Sequence, residues 1–189
     1  NSFVGNKSFY LHLAGISCFA FGFVDFPLVT MHLAKNKLFD DSILPLLYSS
    51  AMLVDAVAAL FFGWLFDKMR TKALVISTAI SAFFAVFAFG ATSPGMIMLG
   101  VALWGVGMGA QESIMKAAVA TMTSKEHRAS SYGAFEFFFG LAWFLGSWLL
   151  GAVYDYSLNT FIIVSVAAQL IALPCYLLSE RSFADENGR

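Results

Sequence analysis

The stretch Gly63-Trp64-Leu65-Phe66-Asp67-Lys68-Met69-Arg70-Thr71-Lys72 separates two long apolar runs. It opens on a glycine expected to end a helix, carries an acid one turn later at Asp67, and sets the cations Lys68, Arg70 and Lys72 close behind. The runs on either side are each long enough to cross a hydrocarbon layer of about 30 Å as a helix. A segment this polar cannot rest inside that layer, so it is expected to emerge at a water interface as a tight connection between two spans. The chain is therefore read as a protein that crosses the membrane repeatedly.

Composition points the same way. Of the 189 residues, 59% are hydrophobic and 12% charged, and the mean hydropathy of +0.76 is beyond what a soluble domain of this size keeps in water. A net charge of −1 leaves no basic excess for nucleic acid, and the few Lys and Arg residues do not cluster as a polyanion site requires. Cys18 and Cys175 fall inside apolar runs, where each reads as a small packing residue rather than half of a disulfide or a metal ligand. No cofactor or metal set is expected. The 21 Phe residues are packing and lipid-facing material. The chain begins with Asn and shows no basic segment ahead of a cleavage site, so it is expected to be a piece of something longer.

Six spans can be drawn, Phe9 to Ala34, Ile43 to Phe66, Ala73 to Ala91, Met96 to Met122, Ser131 to Tyr154 and Leu158 to Leu178, followed by a polar tail over 179–189. An open sheet cannot satisfy its backbone in lipid, and the spans are about twice the length of a barrel strand, so all six are expected to be helices. If the odd spans run outward, Lys7, Lys68, Arg70, Lys72, Lys125, Arg128, Arg181 and Arg189 share one side. The other side holds only Lys35 and Lys37, beside Asp40 and Asp41. The positive-inside rule then makes both termini cytoplasmic.

The sequence also repeats internally. Gly63-Trp64-Leu65-Phe66-Asp67, ending the second span, recurs in form as Gly151-Ala152-Val153-Tyr154-Asp155 at the end of the fifth, 88 residues on. The same displacement carries Asp25 to Ser113, beside Glu112. Three spans per repeat is an odd number, so the second copy is expected upside down relative to the first.

The six-span unit, this 3+3 inverted repeat and the Gly63…Asp67-Lys68 loop together resemble one half of a major facilitator superfamily transporter. The family's loop signature runs Gly, three residues, Asp, Arg or Lys, one residue, Gly, Arg, then Arg or Lys. Gly63, Asp67, Lys68 and Lys72 match it; Arg70 stands where the second glycine belongs and Thr71 where an arginine belongs. That departure resembles the copy in the C-terminal half. The stretches Tyr48-Ser49-Ser50-Ala51-Met52-Leu53-Val54-Asp55-Ala56 and Tyr132-Gly133-Ala134-Phe135-Glu136-Phe137 also look like eighth- and eleventh-helix sequence of bacterial and archaeal members. The resemblance covers nearly the whole chain and implies a bacterial or archaeal cytoplasmic membrane. It further implies a small-molecule substrate, with H+ as a candidate co-substrate, and a partner that is an N-terminal six-helix half or a second copy. It names no substrate. In the family the loop acid latches one rocking state by accepting hydrogen bonds from a helix of the other half, a role for Asp67 that has a physical basis in the helix dipole. Lys68, Arg70 and Lys72 read first as ordinary interfacial cations, with a part in the latch loop as the alternative.

A charge at bilayer depth costs roughly 2.5–3.5 kcal/mol on insertion scales, so each acid within a span needs a reason. Asp25 lies two residues before Pro27, whose ring is expected to strip the Phe23 carbonyl of its helical partner. A polar group beside an interrupted helix is a usual transporter binding position. Glu112 and Lys116 have the i, i+4 spacing, acid first, of a helical ion pair, with Gln111 adjacent. Gly105, Met108 and Gly109 share their face, which implies either a close helix crossing or a cavity wall. In the family the first and fourth helices of each half line the central cavity, so the resemblance puts Asp25, Gln111, Glu112 and Lys116 on the substrate or proton path. Asp55 and Glu136 belong to spans that in the family pack on the opposite half, and read as inter-half or relay groups; Glu136 is also placed to snorkel. His12 and His32 are expected at the interfaces.

Other functions fit less well. No His-Glu-x-x-His is present for zinc. Ser17 is followed by Cys18 where a rhomboid-like serine needs glycine, and Asp25 lacks the second glycine of an intramembrane aspartyl protease. A non-transporting receptor or assembly factor on the same fold stays open, since fold does not fix function.

Overall fold

The computed structural model describes residues 6–188; Arg189, counted above among the cytoplasmic cations, lies outside them. The described residues contain no strand and build six helical spans, each long and apolar enough to cross a membrane. The first comprises α1 (Lys7–Gly22) and α2 (Phe26–Lys35), the second α3 (Leu44–Met69), and the third α4 (Thr71–Ser81) and α5 (Phe84–Gly90). The fourth runs from α6 (Pro94–Ala110) through a π-helical turn (Gln111–Met115) into α7 (Lys116–Met122). The fifth is α8 (Arg128–Tyr156) and the sixth α9 (Leu158–Asn187), which stays helical through most of the residues expected as tail.

The packing fits the inverted repeat expected from the sequence. The first span packs chiefly on the fifth and sixth, and the fourth on the second and third. That is the exchange a two-fold axis in the membrane plane requires of two three-helix units. Single contacts follow it. A Cβ on Gly146 would strike the backbone of Phe21. Moved by 88 residues, those partners become Ala58 and Gly109, which also touch. Gly105 meets the backbone of Ala51 and Gly109 that of Asp55, so the small stripe on α6 serves a close crossing with α3 rather than a cavity wall.

The first span does not merely kink at Pro27. It stops at Gly22 and restarts at Phe26, with Pro27 in the first turn of α2, where the missing N–H costs nothing. The Val24 amide turns back to the Gly22 carbonyl at 3.1 Å. Gly22 O also accepts from Ser165 Oγ at 2.6 Å and Gln169 Nε2 at 3.2 Å, and Val24 O accepts from Trp104 Nε1 at 2.9 Å. Gln169 Nε2 reaches on to Ala82 O at 3.5 Å, inside the gap between α4 and α5 that interrupts the third span. Phe23 stacks on Trp104 at 5.3 Å and meets Phe84 edge-on at 5.6 Å, so aromatic rings close over the break.

Unpaired carbonyls are expensive where no water can reach them, which makes these side-chain donors structural necessities. Trp104→Phe keeps a ring over Phe23 and removes only the indole N–H; Ser165→Ala removes only the hydroxyl. Each is expected to cost about 1–3 kcal/mol, read as a lowered thermal midpoint of the purified protein in detergent. Unchanged midpoints in both would show that the break is held by something else.

Candidate functional site

The π-helical turn carries Gln111 and Glu112, and it reorganises the charges expected on one stripe. Lys116 is not paired with Glu112. Its Nζ lies 2.8 Å from Glu136 Oε1 on α8, with the two side chains 41% and 52% exposed. The expected Glu112–Lys116 pair is thus replaced by an interhelical one.

Glu112 faces the second span. It neighbours Asp55, which is only 6% exposed and whose Oδ1 has no hydrogen-bond partner. Glu112 itself is exposed on the other side, while Gln111 is buried. The structure therefore brings together Asp55, Glu112, Lys116 and Glu136 from the second, fourth and fifth spans. Asp25 stands apart: it takes the N-cap position of α2 in extended backbone, makes no capping bond, and is partly exposed at the break.

Both histidines of the first span are covered by neighbouring helices, at 1% exposed for His12 and 4% for His32. His12 Nε2 donates to Met115 O, at the end of the π turn, at 3.3 Å, and its ring packs on Tyr176. His32 Nδ1 lies 2.6 Å from the Tyr154 hydroxyl. Each histidine ties the first span to a later one, an arrangement with no local sequence signal.

At the hinge, α3 continues through Gly63 to Met69, so Gly63 does not end a helix, and a side chain there would meet nothing within 4 Å. The whole turn is Arg70, at φ 52° and ψ −124°, with α4 beginning at Thr71. This is the backbone of the first central position of a type II′ turn, which glycine occupies without strain. Lys68 Nζ sits 4.1 Å over the Trp64 ring. Asp67 and Lys72 are exposed, and Asp67 makes no hydrogen bond or ion pair among the described residues.

A family model described as Major Facilitator Superfamily matches residues 11–188. The chain belongs to the major facilitator superfamily. Uncharacterized proteins of Mycobacterium tuberculosis and Mycobacterium bovis are each 32% identical to it over 165 residues, covering 87% of this chain and 40% of theirs. The chain thus spans about two fifths of the length of these relatives. No solved structure matches. Within the superfamily's loop signature, the left-handed backbone falls on Arg70, the position where the signature has its second glycine, and this gives that glycine a steric reason. Sequence reasoning missed Trp104, Ser165 and Gln169. The last two are polar residues one helical turn apart in an otherwise apolar span, a signal that was present and marks interhelical bonding.

Two outcomes are expected. In a double-mutant cycle on stability, Lys116 should couple to Glu136 by about 0.2–1 kcal/mol and to Glu112 by nothing measurable. Arg70→Gly should raise stability by about 1 kcal/mol or more through relief of backbone strain. Coupling of Lys116 to Glu112 alone would contradict the geometry.

Proposed function

We propose that the chain is one six-helix half of a secondary transporter that moves a small solute by rocking against a second half, supplied by the same protein or by a second copy. The observation that carries this reading is the charged surface of the fourth and fifth spans. Glu112 lies well inside its span and is exposed, and the Lys116–Glu136 pair beside it is about half exposed. Lipid is a poor medium for such groups, whereas a water-filled path or an apposed half accommodates them. The second and fifth spans are also among the least buried, and the relatives are long enough to hold a second set of spans.

In this reading Asp25, Gln111, Glu112 and Lys116 belong to the solute path, both termini face the cytoplasm, and Asp67 latches one conformational state. The exposed, unpartnered carboxylate at Asp67 supports the latch, since its partner helix then comes from the other half. Gly63, with open space before it, leaves room for that approach.

Single cysteines in the hinge at position 72 and in the connection at position 125 should be labelled from the cytoplasm, and one at position 37 from outside. In the full-length protein Asp67→Asn should slow turnover about tenfold, equivalent to roughly 1.4 kcal/mol on the barrier, while leaving expression and substrate affinity close to wild type. Labelling of position 72 from outside would overturn the orientation, and unchanged turnover would return Asp67 to an ordinary turn residue.

A further inference from the structure

A cavity of about 330 Å³ lies beside the hinge, enclosed by the end of α3, the start of α4, and α7 and α9. That volume is at the lower end of what small-molecule sites occupy. Phe66, Leu74, Ala118 and Met122 give it apolar walls, and the stacked pair His12 and Tyr176 forms its most buried part. Arg70 and Glu180, both exposed, stand at its rim. None of Asp25, Gln111, Glu112 and Lys116 lines it, so it is distinct from the solute path.

The polar groups of this cavity are short of partners. Tyr176 is 1% exposed and neighbours Thr78, yet neither hydroxyl makes a hydrogen bond. A buried hydroxyl left unpaired is costly, and the cavity is the place from which a partner can come. At the rim the Arg70 guanidinium lies 5.8 Å from the Phe66 ring and makes no hydrogen bond or ion pair among the described residues. Its five N–H donors are open. Immediately after it α4 begins at Thr71 with no side-chain cap, leaving amides of the first turn without helical partners, an arrangement that favours an anionic group. Glu180 shares the rim without pairing to Arg70. A lone anion would meet the Glu180 carboxylate as well as Arg70, and a lone cation the reverse. A molecule carrying both charges on neighbouring atoms satisfies each.

We propose that this cavity binds a small zwitterion with an apolar body, of the class of an α-amino acid with an apolar side chain. Arg70 and the opening amides of α4 hold the carboxylate, and Glu180 holds the ammonium group. The apolar side chain enters between Phe66, Leu74 and Met122, towards the Tyr176 hydroxyl. A ligand seated there bridges the hinge of the first three-helix unit to the fourth and sixth spans, and so ties the two units together at one end of the bundle. The transporter reading supplies only the side of the membrane from which the ligand enters; binding in detergent is independent of it.

The test is isothermal titration calorimetry of the purified full-length protein in detergent, with L-leucine, L-methionine and L-phenylalanine as probes. Saturable binding of at least one is expected. For L-phenylalanine, two cut-down analogues separate the charges: 3-phenylpropionate lacks the ammonium group and 2-phenylethylamine lacks the carboxylate, and each should bind about tenfold more weakly or worse. Arg70→Gly and Glu180→Gln should each weaken amino-acid binding by about the same factor, and Tyr176→Phe should weaken it measurably. Arg70→Gly is the decisive variant, because it is expected to raise the thermal midpoint through relief of backbone strain, so a loss of binding there cannot come from misfolding. Thermal midpoints of the other two check their folding. No binding of any probe, binding of an analogue as tight as that of the amino acid, or binding unchanged in Arg70→Gly or Glu180→Gln would overturn the proposal and leave the transporter reading intact. Failure of the labelling and turnover experiments with binding present would overturn the transporter reading and keep the site.

Discussion

The rest of the structure depends on one constraint: a helix broken inside the membrane must have its freed carbonyls satisfied by side chains. Gly22 and Val24 expose theirs in the gap of the first span, and Ser165, Gln169 and Trp104 supply the donors. Because those donors come from the sixth and fourth spans, satisfying the break also fixes how both spans sit against the first. Gln169 extends the same bond set to Ala82 in the interrupted third span. Four of the six spans are thereby tied at one level, with Phe23, Trp104 and Phe84 packed around the junction.

The 88-residue displacement of the expected repeat gives this level a counterpart. Displaced by 88 residues, the gap at Phe23–Asp25 falls on Gln111–Ser113, within the π turn of the fourth span. Both repeats thus interrupt their first helix at the same place, one by a complete break and one by a widened turn. The second interruption is closed in the same manner, by a side chain from another span: His12 donates to Met115 O. Interruption and cross-bonding together set which charges meet. Lys116 there meets Glu136, and Glu112 neighbours Asp55.

At the hinge the economy is different. The connection between the second and third spans is a single residue, Arg70, with positive φ, so the two helices are joined with almost no slack. A non-glycine residue in that conformation stores strain of order 1–3 kcal/mol. It sits next to the exposed Asp67, where a rocking transporter would exchange contacts between states.

Much of this protein was legible in its sequence. The six helical spans follow from apolar run length, since lipid leaves the backbone no other choice among sequences of this kind. The repeat was legible in Gly63…Asp67 and Gly151…Asp155, and the family in the loop pattern. The interruption near Asp25 was legible as well, because a proline inside an apolar run has a local meaning. What only the tertiary structure decided is the partner of each polar side chain. Glu112 and Lys116 carry the spacing of a helical pair, yet Lys116 pairs with Glu136 of another span. His12 and His32 lie near the ends of their span, where interfacial positions are common, yet neighbouring spans cover both. Gly63 resembles a helix stop, yet the helix passes through it, because termination depends on where the next helix can begin. In each case the sequence sets the chemistry a residue can perform, while the crossing of distant helices sets which groups come within reach.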